Sequence, residues 1–409
     1  MRIVIAPSGF KESLSADQVA AGIARGVRRV VPGAAVDPLP LVDGGEGSAA
    51  ALARTTGGWI VPRVTMGPVG RPVESHYAIM GGPGPRTAVV EMAATAGLRL
   101  VPPDARDPGR TTTAGVGELI AAALDGGARR ILVGCGDSGT SDGGAGALRA
   151  LGARLLDAAG NDLPPGGAAL SRLDRIDVAG LDPRLARTEL LVACNPWNVL
   201  CGEHGVARVY GPQKGATPAQ AEALDRALHR WAGVLERDLG VPAGLDLRTG
   251  PGTGASGGLG AGLAAVGARL LPRFEVLLEH VDLDGLLARA DLVITAEGAI
   301  DRQTSRGKIP AEVARRAKRY GKPVLALAGT IGPDAHLVYG SGIDAFAGIL
   351  PAPVDLAEAM SRGEEFLADG AERALRMVLL GTALTRWRAR GPSAPRRART
   401  RRSARRGRR

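Results

Sequence analysis

Of the 52 basic side chains in this 409-residue sequence only five are lysine: Lys11, Lys214, Lys308, Lys318 and Lys322. Three of them stand in loops rich in glycine or turn residues, GFKES, GPQKGA and SRGK. An ammonium is a compact charge on a thin stem, so it reaches a phosphate oxygen inside a tight loop where a guanidinium fork does not fit. Lys318 and Lys322 read as a solvated helix end. Carboxylates recur beside glycines in three places: Asp43 and Glu46 in DGGEG, Asp137 and Asp142 in GCGDSGTSDGG, and Glu297 and Asp301 in EGAID. Carboxylates so placed bind metal, accept a hydroxyl proton or cap a helix, and spacing alone leaves all three open.

The richest loop runs from Gly134 to Gly146 and contains Gly136, Ser138, Gly139, Asp142, Gly143 and Gly144. It leaves an expected strand, Arg130–Gly134, and enters an expected helix near Ala145, so its backbone N–H groups and the helix dipole form an anion site. Its GxGxxG pattern alone suggests a dinucleotide, and a nicotinamide-dependent oxidoreductase is the reading that follows from it. Asp137 and Asp142 would then oppose a pyrophosphate. A Mg²⁺ ion, held by one or two carboxylates plus substrate phosphate oxygens, removes that repulsion. Asp43 and Asp142 are assigned to the metal on this ground. A second GxGxxG, Gly252 to Gly257, follows no strand and reads as close helix packing. No GxxxxGK[ST], GxSxG or HRD/DFG set is present, which excludes P-loop NTPases, nucleophile-elbow hydrolases and protein kinases. Three cysteines without CxxC and five histidines without HExxH exclude zinc and disulfide frameworks.

The elements that must position these loops follow from periodicity. The apolar run RIVIA is a strand, and Ser15 to Gln18 is a capping box opening a helix to about Val30. Thr217 to Gln220 is a second box, with Pro218 at the first helical position, opening a helix to about Arg237. Gly254–Leu270 reads as a closely packed Gly/Ala-rich helix. Short runs near 59–65, 75–80 and 87–92 have no helix between them and suggest antiparallel pairing. Strand 292–296, helix 310–320 and strand 324–328 form a βαβ unit. The expected architecture is two α/β domains: residues 1–72 with 283–385 in a parallel three-layer domain, and 73–282 in an inserted mixed-sheet domain.

Net charge is +11, but twelve arginines and no acid lie from Arg386 onward, leaving 40 basic against 41 acidic residues before it. The body of the chain is therefore neutral, and 386–409 reads as a disordered Arg-rich tail that attracts polyanions non-specifically. With 3% aromatics the chain has few stacking platforms for bases. No charged-then-apolar leader and no run of 18 apolar residues occurs, so a cytoplasmic location without membrane contact is expected.

Taken together, IAPSGFKESLSA (5–16), DGGEG (43–47), EMAATAGLRLVPP (91–103), DPGRTTTAGVGE (107–118), the Gly134–Gly146 loop, GPQKGA (211–216), GASGGLG (254–260) and Asp291–Asp301 with Gly307-Lys308 resemble the bacterial glycerate kinases over residues 1 to about 385. The resemblance implies a flavodoxin-like domain and a mixed α/β domain with the active site between them, Mg-ATP as phosphoryl donor, D-glycerate as acceptor and 2-phosphoglycerate as product. It implies catalytic roles for Lys11, Asp43, Glu46, Lys214, Glu297, Asp301 and Lys308, with Gly257 and Gly258 joining the Gly136–Gly144 loop around the nucleotide. Arg110 is the expected clamp for the glycerate carboxylate. Four positions depart from the family pattern: Ser8 and Asn195 stand where it has Asp, Ser141 where it has Asn and Ala299 where it has Arg. The departures leave open a kinase of a related small hydroxy acid, and Ser8, Asn195 and the tail would support a non-catalytic ligand- or nucleic-acid-binding protein.

Deleting Arg386 onward is expected to leave turnover intact and to weaken salt-sensitive retention on a nucleic-acid column. Loss of turnover in a folded truncated chain would place the tail in the active site.

Overall fold

The computed structural model describes residues 1–10, 13–278 and 281–390. In chain order its strands are β1 Arg2–Ile5, β2 Ala35–Pro38, β3 Trp59–Met66, β4 Pro72–Ile79, β5 Thr87–Glu91, β6 Arg130–Gly134, β7 Arg154–Leu156, β8 Arg175–Asp177, β9 Glu189–Cys194, β10 Arg269–Pro272, β11 Leu292–Ile300, β12 Val324–Ile331 and β13 Ala345–Gly348. Five of them form an all-parallel sheet in the order β13-β12-β11-β1-β2. Counted within the sheet, this is the 2-1-3-4-5 arrangement of flavodoxin-like folds. Successive residues of a strand face opposite sides, so the continuous apolar runs of β1 and β11 supply two cores at once. Ile3, Ile5 and Ile294 pack with Val19, Ile23 and Phe366 on one face. Val4 and Val293 pack with Leu287, Val313 and Ala317 on the other.

The second sheet runs β10-β9-β6-β5-β4-β3, parallel except that β4 pairs antiparallel with both β5 and β3. β7 and β8 make a separate antiparallel ribbon. The antiparallel pairing expected of the three closely spaced strands is present. Helix Ala114–Asp125 covers one face of this sheet and helix Ser48–Thr56 the other.

That second contact moves the expected boundary. β3 and helix Ser48–Thr56 belong to the mixed sheet, so the chain crosses between units at the Asp43–Gly47 loop rather than near residue 72. Polar glycine loops gave no hydrophobic signal of the crossing. The return crossing is the short helix Arg273–Leu277: Phe274 joins the core of the parallel sheet, while Val276 and Leu277 join that of the mixed sheet.

Both capping boxes form, with each Ser or Thr hydroxyl accepting from the N3 amide and each Gln reaching back. The Gly254–Leu270 segment is not one helix. Ser256, Gly257 and Gly258 take left-handed backbone conformations and β10 begins at Arg269. The final helix, Gly363–Arg390, extends into the segment read as a tail, and residues 391–409 lie outside the described residues.

A further core centres on Trp231, which is fully buried and donates from Nε1 to the Gly143 carbonyl at 2.8 Å. Trp231→Phe keeps most of the packing and leaves that carbonyl without its donor. Chemical denaturation is expected to show a loss of about 1–3 kcal/mol, and Trp231→Ala a loss of about 3–5 kcal/mol. A Phe variant within about 0.5 kcal/mol of wild type would show that the carbonyl finds another donor.

Candidate active site

Loops from the carboxyl ends of β2, β6, β9, β10 and β11 meet between the two sheets, the position at which open parallel sheets bind ligands. After β11, Lys308 Nζ lies 2.8 Å from Glu297 Oε1 and 3.8 Å from Asp301 Oδ1. Thr304 Oγ1 donates to the other Glu297 oxygen at 3.2 Å. Burial holds the Glu297 carboxyl above its ordinary range; Lys308 opposes the shift, and the charge of Asp43 adds to it. Asp43 and the Glu297–Lys308 group are thus electrostatic neighbours although they come from different loops.

The loops after β2 and β6 are pressed together backbone to backbone. A Cβ on Gly136 would lie 2.6 Å from the Gly45 Cα, so only glycine permits the approach. A Cβ on Gly45 would clash with the Asp137 carboxylate and lie 3.1 Å from Asp43 Oδ1, so two acids flank that bare backbone. Asp137 Oδ2 accepts from the Glu46 N–H at 3.2 Å, and the residue sits at φ +50°, an uncommon conformation for a side chain other than glycine. Glu46 itself turns outward to Arg99 at 2.9 Å.

Asp142, read from sequence as a metal ligand, is a buried anchor instead. Its oxygens accept from the N–H groups of Thr113 at 2.8 Å and of Gly144 and Gly146 at 3.1 Å, and from Thr113 Oγ1 at 2.9 Å. Hydrogen-bond donors meet the charge that the sequence reading gave to a cation. Lys214 is buried under the same loop, with Nζ 2.9 Å from Ser138 Oγ and 2.6 Å from the Thr140 carbonyl. Burial brings its pKa down to about 7, against the opposing charge of Asp142. The left-handed turn at Gly257 and Gly258 packs on this loop, Gly143 donating to the Gly257 carbonyl at 3.0 Å. Gly139 donates to Ala96.

Lys11 lies outside the described residues. Arg110 is exposed on the turn after Asp107, its N–H donating to the Asp107 carbonyl at 3.0 Å. Ser8 closes β1 on β11 by donating to the Ala296 carbonyl at 3.0 Å. Asn195 bridges the sheets, its Nδ2 donating to the Arg306 carbonyl at 2.9 Å. The Ser141 hydroxyl is buried without a hydrogen-bond partner. Ala299 stands in β11, opposite Thr330 of β12.

Arg273 carries no motif signal, and Glu91, though it opens EMAATAGLRLVPP, has no role assigned from sequence. Arg273, 8% exposed, reaches Asp43 Oδ2 at 3.1 Å and the Gly307 carbonyl at 2.6 Å. Glu91, the last residue of β5, is 1% exposed and accepts from the Gly47 and Ala49 N–H groups at 3.0 Å, anchoring the start of helix Ser48–Thr56. Among the described residues no group of three or more His, Cys, Asp or Glu is placed to hold a metal. The paired acids around Gly45 suit a cation that arrives with phosphate oxygens, since Mg²⁺ takes only one or two protein carboxylates in such sites.

The sequence profile of the glycerate kinase family matches residues 3–379. The chain belongs to this family. It is 48% identical over 368 residues to the glycerate kinase of Bacillus subtilis strain 168, covering 90% of this chain and 95% of that protein. It is 44% identical over 360 residues to the glycerate 2-kinase of Escherichia coli K12, covering 88% and 93%. A solved structure from Salmonella typhimurium LT2, provisionally assigned as glycerate kinase 2, superposes with TM-score 0.74 at 45% identity, covering 94% of this chain and 99% of that one. Membership of the glycerate kinase family implies a kinase. No helix among the described residues is long and apolar enough to cross a membrane.

Burial raises the Glu91 pKa from its ordinary 4.5 to about 7, with Glu46 and Asp137 adding to the shift and the Gly47 and Ala49 amides resisting it. A folded state that holds this proton more tightly than the unfolded chain gains stability below pH about 4.5 and loses it as pH rises through about 7. The difference is about 3 kcal/mol. Glu91→Gln is expected to flatten the fall in stability over that window, read by denaturation at a series of pH values; an unchanged slope would assign the fall to another group.

Proposed function

We propose that this chain transfers the γ-phosphoryl group of ATP to a hydroxyl of D-glycerate, giving ADP and 2-phosphoglycerate. The observation that supports this best is the Lys308–Glu297 pair standing beside Asp43 where the loops of the two sheets converge. Phosphoryl transfer needs positioning and charge neutralisation more than covalent help from the protein. In this reading the Gly134–Gly146 loop lies along the nucleotide phosphates, its shape set by the bonds that the Gly139, Gly143, Gly144 and Gly146 N–H groups make within the fold, and Lys214 stiffens it from beneath. Lys308 meets the transferred group. Glu297, whose burial makes it a better base than an exposed carboxylate, takes the proton of the attacking hydroxyl as that oxygen bonds to phosphorus and the bond to ADP breaks. Asp301 keeps Lys308 oriented at 3.8 Å. Asp43 and Asp137 would hold Mg²⁺, which when bound neutralises phosphate charge. A cytoplasmic setting, where ATP and small organic acids are both supplied, suits this chemistry.

A coupled ADP-release assay with D-glycerate, L-glycerate, glycolate, lactate and tartronate tests the reading, and ADP release with D-glycerate is the expected result. Glu297→Gln should lower turnover on the order of 10²–10⁴-fold at an unchanged Mg²⁺ requirement. Asp43→Asn should raise the Mg²⁺ requirement and recover partly at high Mg²⁺. No ADP release with any acceptor rejects the kinase assignment for this chain. Mg²⁺ rescue of Glu297→Gln but not of Asp43→Asn reverses the two roles.

A further inference from the structure

The crossing between the two units carries a guanidinium that no motif accounts for. Arg273 opens the short helix in which Phe274 packs into one core and Val276 and Leu277 into the other. Its NH1 reaches the Asp43 carboxylate at 3.1 Å and the Asp43 carbonyl at 3.4 Å. Its NH2 reaches the carbonyl of Gly307, the residue before Lys308, at 2.6 Å. The guanidinium lies over the Phe274 ring at 4.8 Å, so the fork is fixed from behind as well as in front. Nε is buried without a hydrogen-bond partner. Leaving a donor unpaired is costly, which indicates that the fork is placed for its two outer nitrogens.

We propose that Arg273 is a positioning residue that holds the Asp43 loop and the Lys308 loop at a fixed separation, so that the acid on one and the ammonium on the other reach the same phosphoryl group. A planar fork can contact both loops together, whereas an ammonium of similar reach contacts one at a time. Carboxylates that bind cations are themselves oriented by hydrogen bonds, and Arg273 supplies that orientation to Asp43. The kinetic part of this inference rests on the phosphoryl-transfer reading; the structural part does not.

Two measurements on the full chain test it. Hydrogen exchange of the unliganded protein should show faster exchange at the amides of 44–45 and 307–308 in Arg273→Lys, with the cores of both sheets unchanged. Steady-state kinetics with Mg-ATP and D-glycerate should show kcat lowered at least tenfold in Arg273→Lys and Arg273→Ala, with less than a threefold change in KM for either substrate. Millimolar methylguanidinium should restore part of the Arg273→Ala rate and leave wild type unaffected. Unchanged exchange in both loops overturns the proposal, as does full turnover by Arg273→Ala. If wild type releases no ADP the kinase reading fails, and the exchange result alone decides the role of Arg273.

Discussion

Everything in the cleft depends on two polypeptide loops approaching closer than any side chain allows. Gly44 and Gly45 lie against Gly134 and Gly136 with no room for a Cβ between them. That contact is where the chain passes from one sheet to the other, so one constraint fixes both domain connection and site geometry. With the backbones in contact, the carboxylates of Asp43 and Asp137 have nowhere to go but the edges of the contact. Like charges so placed repel, and the structure offsets this with Arg273 on one side and backbone N–H donors on the other.

Buried charge is handled by two different devices. Asp142 and Glu91 are surrounded by backbone N–H groups, which stabilise a carboxylate without adding a counter-charge. Both define loop shape, one for Gly143–Gly146 and one for Gly47–Ala49. Glu297 and Asp43 instead face cations on flexible or planar stems, Lys308 and Arg273. An ion pair can exchange partners when a phosphate arrives, whereas a carboxylate held by several amides gains nothing by leaving them. Glu297 and Asp43 are acids of this second kind in the cleft.

Much of the fold was legible because its signals are local. The runs RIVI and LVITA, the Ser15 and Thr217 capping boxes and the short strands before residue 92 each follow from spacing within a few residues. The three acid-and-glycine segments stood out in sequence for the same reason, but spacing left their roles open, and it is the fold that sets Lys308 against Glu297 of EGAID. Long-range partnership was not legible. Asp142 appears in sequence as an acid in a phosphate loop, and only the fold brings Thr113 to it. Glu91 is one more residue at a strand end until helix Ser48–Thr56 is placed over it. Arg273 lies 230 positions from Asp43, and nothing in PRFEV marks it. The crossing at residue 43 escaped notice because a boundary made of polar glycine loops leaves no break in the apolar pattern.

Two of the departures from the family pattern, Asn195 and Ser8, have a physical reading at this level, and nothing in the structure explains Ser141. An amide at 195 can donate to the Arg306 carbonyl and accept from the Trp197 N–H, which a carboxylate could not do on the donating side. Ser8 likewise donates to a carbonyl, that of Ala296, where an acid would present only acceptors. At both positions the side chain ties neighbouring segments together. Ala299 stands in β11 two residues beyond Glu297 and on the same face of the strand. The guanidinium that remains at the crossing, Arg273, sits between the loops rather than on the strand. It contacts Asp43 and the backbone before Lys308 together, so one side chain bears on both the geometry of the join and the electrostatics of the site.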